Sequence, residues 1–415
     1  MIKQQALNLL HLPFSRPGGA AWTSVLLLAC AVAACRPEDE GQAHRRTWVG
    51  PHGEAVLEWV GSGGFAEWNC GGAYIYGTSA KPKVFEVWKW NGNKLVRLRE
   101  RALRNEWLAT CLQDDRYICG SLPGNEPHGL HVKSIVTGAM IWNWAYLPGW
   151  YCDVIGLSRD GARVALCLAE GTGERGPPGS DYNRPRIRLG LMESDATEID
   201  WVTTLTGDGA GACGNVRSVI PSDDGTYIAV ASWDHKLAMV DVSAGALLWA
   251  KQPRGEVNLG YAAFSPDSDV VYTGGTMAVV YGMDVRTGKV LSSWVAGRSG
   301  QPEYGHRIAC VAVSPDGRWV AAGTGPEGRV WVFRERDGKH VATLDHGGST
   351  VQLVHFSPDS SALASFVPGT LKIWKVSRWD KNPPAKPTTR PATSGPPDGS
   401  APTELVPASA PSGGR

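Results

Sequence analysis

Two glycine-rich stretches, a few scattered acids and histidines, and nine cysteines are the places in this chain where chemistry would have to begin. Gly207-Asp208-Gly209-Ala210-Gly211-Ala212-Cys213-Gly214 has the glycine content of a phosphate-cradling loop, but no Lys-Ser/Thr follows and no helix starts there. Gly171-Thr172-Gly173-Glu174-Arg175-Gly176 fails for the same reason, and no Gly-x-Ser-x-Gly elbow stands between a strand and a helix pattern. The ten His lack the close pair that a metalloprotease helix needs. Asp153, Asp208, Glu303 and His306 are the residues that would have to meet to hold a cation, and each reads more simply as a solvated loop residue. The sequence therefore predicts no catalytic residues, no metal and no cofactor.

Lys plus Arg is 41 and Asp plus Glu is 40, a balance that creates no field for polyanions and excludes nucleic acid as a partner class. Setting aside Cys30 and Cys35 leaves Cys70, Cys111, Cys119, Cys152, Cys167, Cys213 and Cys310. The odd number leaves one thiol outside any intramolecular pairing. Cys111 and Cys119 lie on the two arms of one predicted hairpin, which would allow a disulfide; Cys152 and Cys167 stand in a looser relation. The other reading is that these are small buried hydrophobes on inner strands. Without a Cys-x-x-Cys pair, a structural zinc site is not expected.

The elements that would position these residues recur along the chain. Turns begin at Asn69, Gln113, Ser158, Ser222, Ser265, Ser314 and Ser357, most of them Ser-x-Asp-Gly-like, and each is followed by a small-apolar strand. Successive turns are 43 to 49 residues apart, except for one interval of 64. An insertion at 169–185 accounts for the long interval. Gly92, Gly138, Gly245, Gly288 and Gly338 fall 23 to 25 residues after their turns, marking a second hairpin in each unit. A period in the forties with several short strands is the signature of a propeller blade, a unit that buries its faces only by stacking on its neighbours. The last unit ends at its third strand, Leu371-Lys372-Ile373-Trp374-Lys375-Val376. Gly53-Glu54-Ala55-Val56-Leu57-Glu58-Trp59-Val60 looks like the fourth-strand segment Gly288-Lys289-Val290-Leu291-Ser292-Ser293-Trp294-Val295. The expected fold is all-β: a seven-bladed β-propeller at 47–378, closed by an N-terminal strand in the last blade.

These repeats resemble the WD-repeat (beta-transducin-like) family. Phe264-Ser265-Pro266-Asp267, Val313-Ser314-Pro315-Asp316-Gly317 and Phe356-Ser357-Pro358-Asp359 are similar to its first hairpin. Ala231-Ser232-Trp233-Asp234-His235-Lys236-Leu237-Ala238-Met239-Val240-Asp241 is similar to its second and third strands. The chain departs from the family where Val240 and Met283 replace the Trp of the Trp-Asp pair. It departs again where Gly305-His306 and Asp345-His346 supply a His without the Asp that should join it. The resemblance thus implies an incomplete polar network. Asp241-Val242-Ser243-Ala244-Gly245-Ala246-Leu247-Leu248-Trp249 also resembles the tryptophan-docking repeat of quinone-cofactor dehydrogenases and of outer-membrane-assembly lipoproteins. That likeness implies Trp packed between blades.

The N-terminus reads as a targeting segment at 1–34, with a basic leader and an apolar stretch at 20–34 too short to span a bilayer. Its end, Val32-Ala33-Ala34-Cys35, resembles a bacterial lipobox, which implies lipid attachment at Cys35; ordinary signal cleavage near Ala34 is the other reading. Residues 35–46 form a charged tether, and 379–415 is a Pro-rich tail too polar to fold. Expected localisation is the bacterial cell envelope, membrane-anchored, with Arg36 favouring the outer membrane.

On a propeller, the starts of first strands and the second-to-third loops share one face. That face would gather Trp150, Tyr151, Tyr182, Arg184, Arg254, Arg298, Tyr304, His306 and Arg307, the aromatic and Arg types that dominate binding hot spots. The expected function is a lipid-anchored protein-binding module of the cell envelope, with a monomeric propeller and a protein or envelope partner. The alternative is an exported propeller enzyme, either a quinone-dependent dehydrogenase or a metal-dependent lactonase-like hydrolase.

Overall fold

The computed structural model describes residues 45–379 apart from 50–53, 60–63, 69–73, 81–82, 91–94, 103–105, 112–115, 122–128, 135–136, 146–149, 171–185, 206–215, 233–235, 254–260, 276, 298–306 and 326. The described strands form seven antiparallel sheets. In chain order these are sheets I (64–102), II (106–145), III (150–205), IV (216–251), V (262–295), VI (307–345) and VII (353–375). Sheets I to VI are four-stranded meanders in which each strand pairs with the next along the chain.

The Ser-x-Asp turns explain where the second strands of sheets III to VII start. Ser158, Ser222, Ser265, Ser314 and Ser357 each donate their hydroxyl to the Asp two residues on, at 2.5 to 2.6 Å. The same hydroxyl accepts the backbone N–H five residues on, at 2.9 to 3.0 Å, and so pins the first residue of the second strand. The fourth turn residue sits in the left-handed region. Gly161, Gly225 and Gly317 take it freely, whereas Ser268 and Ser360 adopt φ 58°, a conformation that costs a side chain about 1–2 kcal/mol.

First strands of successive sheets touch from II through VII, and the first strand of VII touches that of I. Second and third strands are buried nearly throughout, as in Trp319–Gly325. Fourth strands face outward and alternate, as in Met140–Ala145 and Ala246–Lys251. The apolar clusters lie between neighbouring sheets: Val219 and Val230 of IV pack with Leu189 of III, and Trp319 of VI packs with Phe356 and Trp374 of VII.

Sheet VII is sealed from the other end of the chain. Ala55–Trp59 pairs antiparallel with Thr370–Lys375, Ala55 opposite Ile373 and Glu58 opposite Thr370. A further strand, Arg45–Val49, pairs outside it with Trp48 opposite Val56, so this sheet has five strands. Arg45 and Arg46, expected in the tether, therefore belong to a strand. The pairing gives Ala55–Trp59 backbone partners on both sides.

The register corrects the cysteine pairing. Cys111 stands opposite Tyr117 and Cys119 opposite Leu108, so the two are not cross-strand neighbours. Cys119 is a fully buried thiol, not half of a disulfide. Cys152 and Cys167 are likewise buried thiols, packed in the clusters between sheets.

Glycines of the third-to-fourth turns are held by the preceding sheet. Gly288 has φ 63°, and a Cβ there would lie 2.6 Å from Trp249 of sheet IV, whose indole N–H donates to Val285 O at 2.8 Å. Gly338, at φ 66°, sits against Trp294 of sheet V in the same way. Trp294 in turn stacks on Tyr272, with ring centroids 5.4 Å apart. Each Trp thus lies between blades, as the tryptophan-docking resemblance implied.

Candidate functional site: the loop face and the central cavity

Of the expected face, Trp150, Tyr151 and Arg307 are described; Tyr182, Arg184, Arg254, Arg298, Tyr304 and His306 lie outside the described residues, as do Cys35, Asp208 and Glu303. Trp150 and Tyr151 open the first strand of sheet III, Trp150–Leu157, and Arg307 opens that of sheet VI, Arg307–Val313. Trp150 is opposite Glu170 and Arg307 opposite Gly325, the last residues of their second strands. Both therefore stand at the end from which second-to-third connections leave. Arg307 is exposed and Trp150 half-buried.

One residue that sequence reasoning missed joins this site. Arg186 follows the 171–185 loop and carries its guanidinium 6.0 Å from the Trp150 ring centroid. It donates to Glu170 from Nε at 2.9 Å and from Nη2 at 3.4 Å. Glu170 and Arg186 border residues 171–185, and their exposed ion pair lies beside Trp150. Opposite charges at the two borders of an insertion were the signal available in the sequence. Arg188, two residues on, lies 4.2 Å over the Trp201 ring and ties the third strand to the fourth.

The first strands of sheets III to VII wall a central cavity of about 290 Å³. At the end formed by the Ser-x-Asp turns, Arg159 reaches from sheet III to sheet VI, where Nη1 donates to Pro315 O at 3.0 Å, and it pairs with Asp223 of sheet IV. Asp223 O also accepts from Arg163. One guanidinium thus ties three turns together across that end of the cavity. The opposite end carries Arg217, whose guanidinium lies 5.5 Å from the Tyr261 ring centroid.

A polar contact of a different kind joins sheets VI and VII. His346 Nε2 is 2.6 Å from Ser365 Oγ, and the same hydroxyl accepts from Trp374 Nε1 at 2.7 Å. His346 Nδ1 is buried without a hydrogen-bond partner. This is where Val367-Pro368-Gly369 replaces the Asp of the resembled network. Burial lowers the His346 pKa to about 3 and keeps the ring neutral. Among the described residues, no group of three or more His, Cys, Asp or Glu side chains is placed to hold a metal ion.

Four-stranded meanders whose first strands gather around a central cavity, with each blade packed on the next, define a β-propeller. Residues 201–241 and 300–333 match the family model described as WD domain, G-beta repeat. The fold is a β-propeller whose matched repeats are similar to WD repeats, a class that generally serves as a scaffold for protein interaction. The first match starts in the fourth strand of sheet III, Asp200–Leu205, and ends with the third strand of sheet IV, Leu237–Asp241. This match straddles two sheets, so it covalently links one blade to its neighbour.

Proposed function

We propose that this protein is a non-enzymatic scaffold of the bacterial cell envelope, anchored through a lipid on Cys35, with its propeller outside the cytoplasm. In this reading the face opened by Trp150, Tyr151 and Arg307 binds a protein partner. The observation that supports it most is the ion pair at sheet III. Glu170 and Arg186 pair across the two ends of residues 171–185, beside a half-buried Trp on the ring. Loops held on a rigid frame are usual places for recognition, and prior fixing lowers the entropy lost on docking. The lipobox-like Val32-Ala33-Ala34-Cys35 supports the anchor, and the absence of Asp at position 36 favours the outer membrane.

Crosslinking in intact cells tests the face. The expected result is that a specific envelope protein is captured by the natural chain and lost with Trp150→Ala and Arg186→Ala, while Leu291→Ala, on the exposed fourth strand of sheet V, leaves capture unchanged. Equal capture by all variants would rule the face out. Separately, Cys35→Ala should move the protein from the membrane fraction to the soluble fraction.

A further inference from the structure

Two neutral polar side chains line the central cavity without partners from the fold. Ser218, on the first strand of sheet IV (Val216–Pro221), is 6% exposed, and its Oγ has no hydrogen-bond partner. His355, on the first strand of sheet VII (Leu353–Phe356), lines the same cavity, and its Nδ1 is buried and also without one. Burial lowers its pKa to about 4, so the ring is neutral at pH 7. A buried hydroxyl or ring nitrogen left unsatisfied carries a desolvation penalty that a bound group of matching polarity removes.

The two groups stand apart. Sheets V and VI lie between sheet IV and sheet VII in the ring, as the contacts of successive first strands show. Ser218 is four residues before its turn at Ser222 and His355 two before its turn at Ser357, which sets them at depths differing by about 7 Å at the rise of a strand. Two polar atoms so placed require two polar groups on a ligand, with an apolar body between them. Val219, Phe264, Val313 and Leu353 supply apolar wall. The cavity, about 290 Å³, is larger than the roughly 150 Å³ that takes benzene, so a single substituted ring fits.

The two guanidinium groups of the described lining are already engaged. Arg159 faces Asp223 and Pro315 O at the turn end, and Arg217 has its own interactions at the other. Among the described lining residues, the open positions are thus a hydroxyl and a neutral imidazole, which match neutral polar groups rather than an ion.

We propose that the central cavity binds a small neutral diol with an apolar body, one hydroxyl held by Ser218 Oγ and the other by His355 Nδ1. A hydroxyl both donates and accepts, so it pairs with the imidazole nitrogen in either tautomer. The site is separate from the ion pair at sheet III, so its test and the capture experiment fail independently.

Calorimetric titration of the full-length protein with resorcinol tests it, with phenol, toluene and meta-hydroxybenzoate as comparison probes. The expected result is saturable resorcinol binding, with affinity falling several-fold at each step from resorcinol to phenol to toluene, the scale of a neutral hydrogen bond. Meta-hydroxybenzoate, which puts a charge where a hydroxyl was, should bind more weakly than resorcinol. Ser218→Ala and His355→Leu should each bring resorcinol down to the affinity of phenol for the natural chain and leave toluene unchanged. Unchanged toluene binding shows that the cavity is intact, and if one variant loses it the other decides. Absence of saturable resorcinol binding overturns the proposal. Toluene or meta-hydroxybenzoate binding as tightly as resorcinol, or resorcinol binding unchanged in either variant, would each overturn it as well.

Discussion

Sheets IV and V meet through a tryptophan, whereas sheets VI and VII add a histidine to their apolar contact. At the first junction the Trp249 ring lies beneath Gly288 and its one polar atom is satisfied by Val285 O at 2.8 Å. At the second, one hydroxyl, Ser365 Oγ, serves both His346 and Trp374, and the far nitrogen of the imidazole is left over. The apolar junction depends on shape, and sheets V and VI repeat it with Trp294 and Gly338. The polar junction depends on protonation. Two interfaces of one ring, built from the same repeat, therefore respond to different perturbations.

The largest expected effect is on the apolar side. Trp249→Ala removes a ring packed between two sheets and should destabilise the fold by about 3–5 kcal/mol, read as a lowered urea midpoint. Gly338→Ala comes next. It places a Cβ against Trp294 in a left-handed turn, and the backbone alone costs about 1–2 kcal/mol; a stability change near zero would show that this turn relaxes freely. On the polar side, Ser365→Ala strands the Trp374 indole N–H and leaves the imidazole only Ser365 O, at 3.1 Å, for about 1–3 kcal/mol.

The polar junction also makes a pH signature. The folded His346 pKa, about 3, lies below its ordinary value of 6.5. The unfolded chain therefore binds more protons between those limits, and stability is full above about pH 6.5 and falls as pH drops toward 3. His355, lowered to about 4, adds in the same direction. His346→Gln should flatten this slope relative to the natural chain when unfolding is followed at pH 7, 5.5 and 4.5, while Trp249→Ala should shift the whole curve and leave its slope alone. The smallest effect belongs to the exposed Arg334–Asp337 pair at the sheet VI turn, 2.6 Å apart. Arg334→Ala should cost about 0.5 kcal/mol or less.

What could be read from the sequence was what is local. Ser314 and Asp316 are two residues apart, and the hydrogen bond between them sets the strand start; a repeating Ser-x-Asp is therefore a repeating turn. Gly245, Gly288 and Gly338 kept their offset because each occupies a left-handed position that a neighbouring sheet also crowds. The sealing strand Ala55–Trp59 was legible because it copies a fourth strand. Contacts set by the ring itself were not legible. Arg159 lies 156 residues from Pro315, and nothing near either residue announces the meeting. Arg45–Val49 has no counterpart in the repeats, so its pairing outside Ala55–Trp59 could not be inferred by analogy. His346 was identified as a candidate from its place before the last unit, but its partner Ser365 sits in an ordinary apolar strand. The Cys111 and Cys119 pairing failed because hairpin membership does not fix register. Of the proposed face, Trp150 and Arg307 were placed by their position at first-strand starts, whereas Arg186 was overlooked because it stands just outside the insertion at 169–185.

The five-stranded sheet has a mechanical consequence. Arg45 and Lys375 both end in sheet VII, with only Ala55–Trp59 hydrogen-bonded between their strands. Tension applied across those two points would be carried first by the few peptide bonds' worth of pairing between Ala55–Glu58 and Thr370–Ile373, and the other six sheets would feel it only after that zipper gave way. A single blade therefore acts as the clasp of the whole ring, and the force at which the clasp opens is set by its own short register.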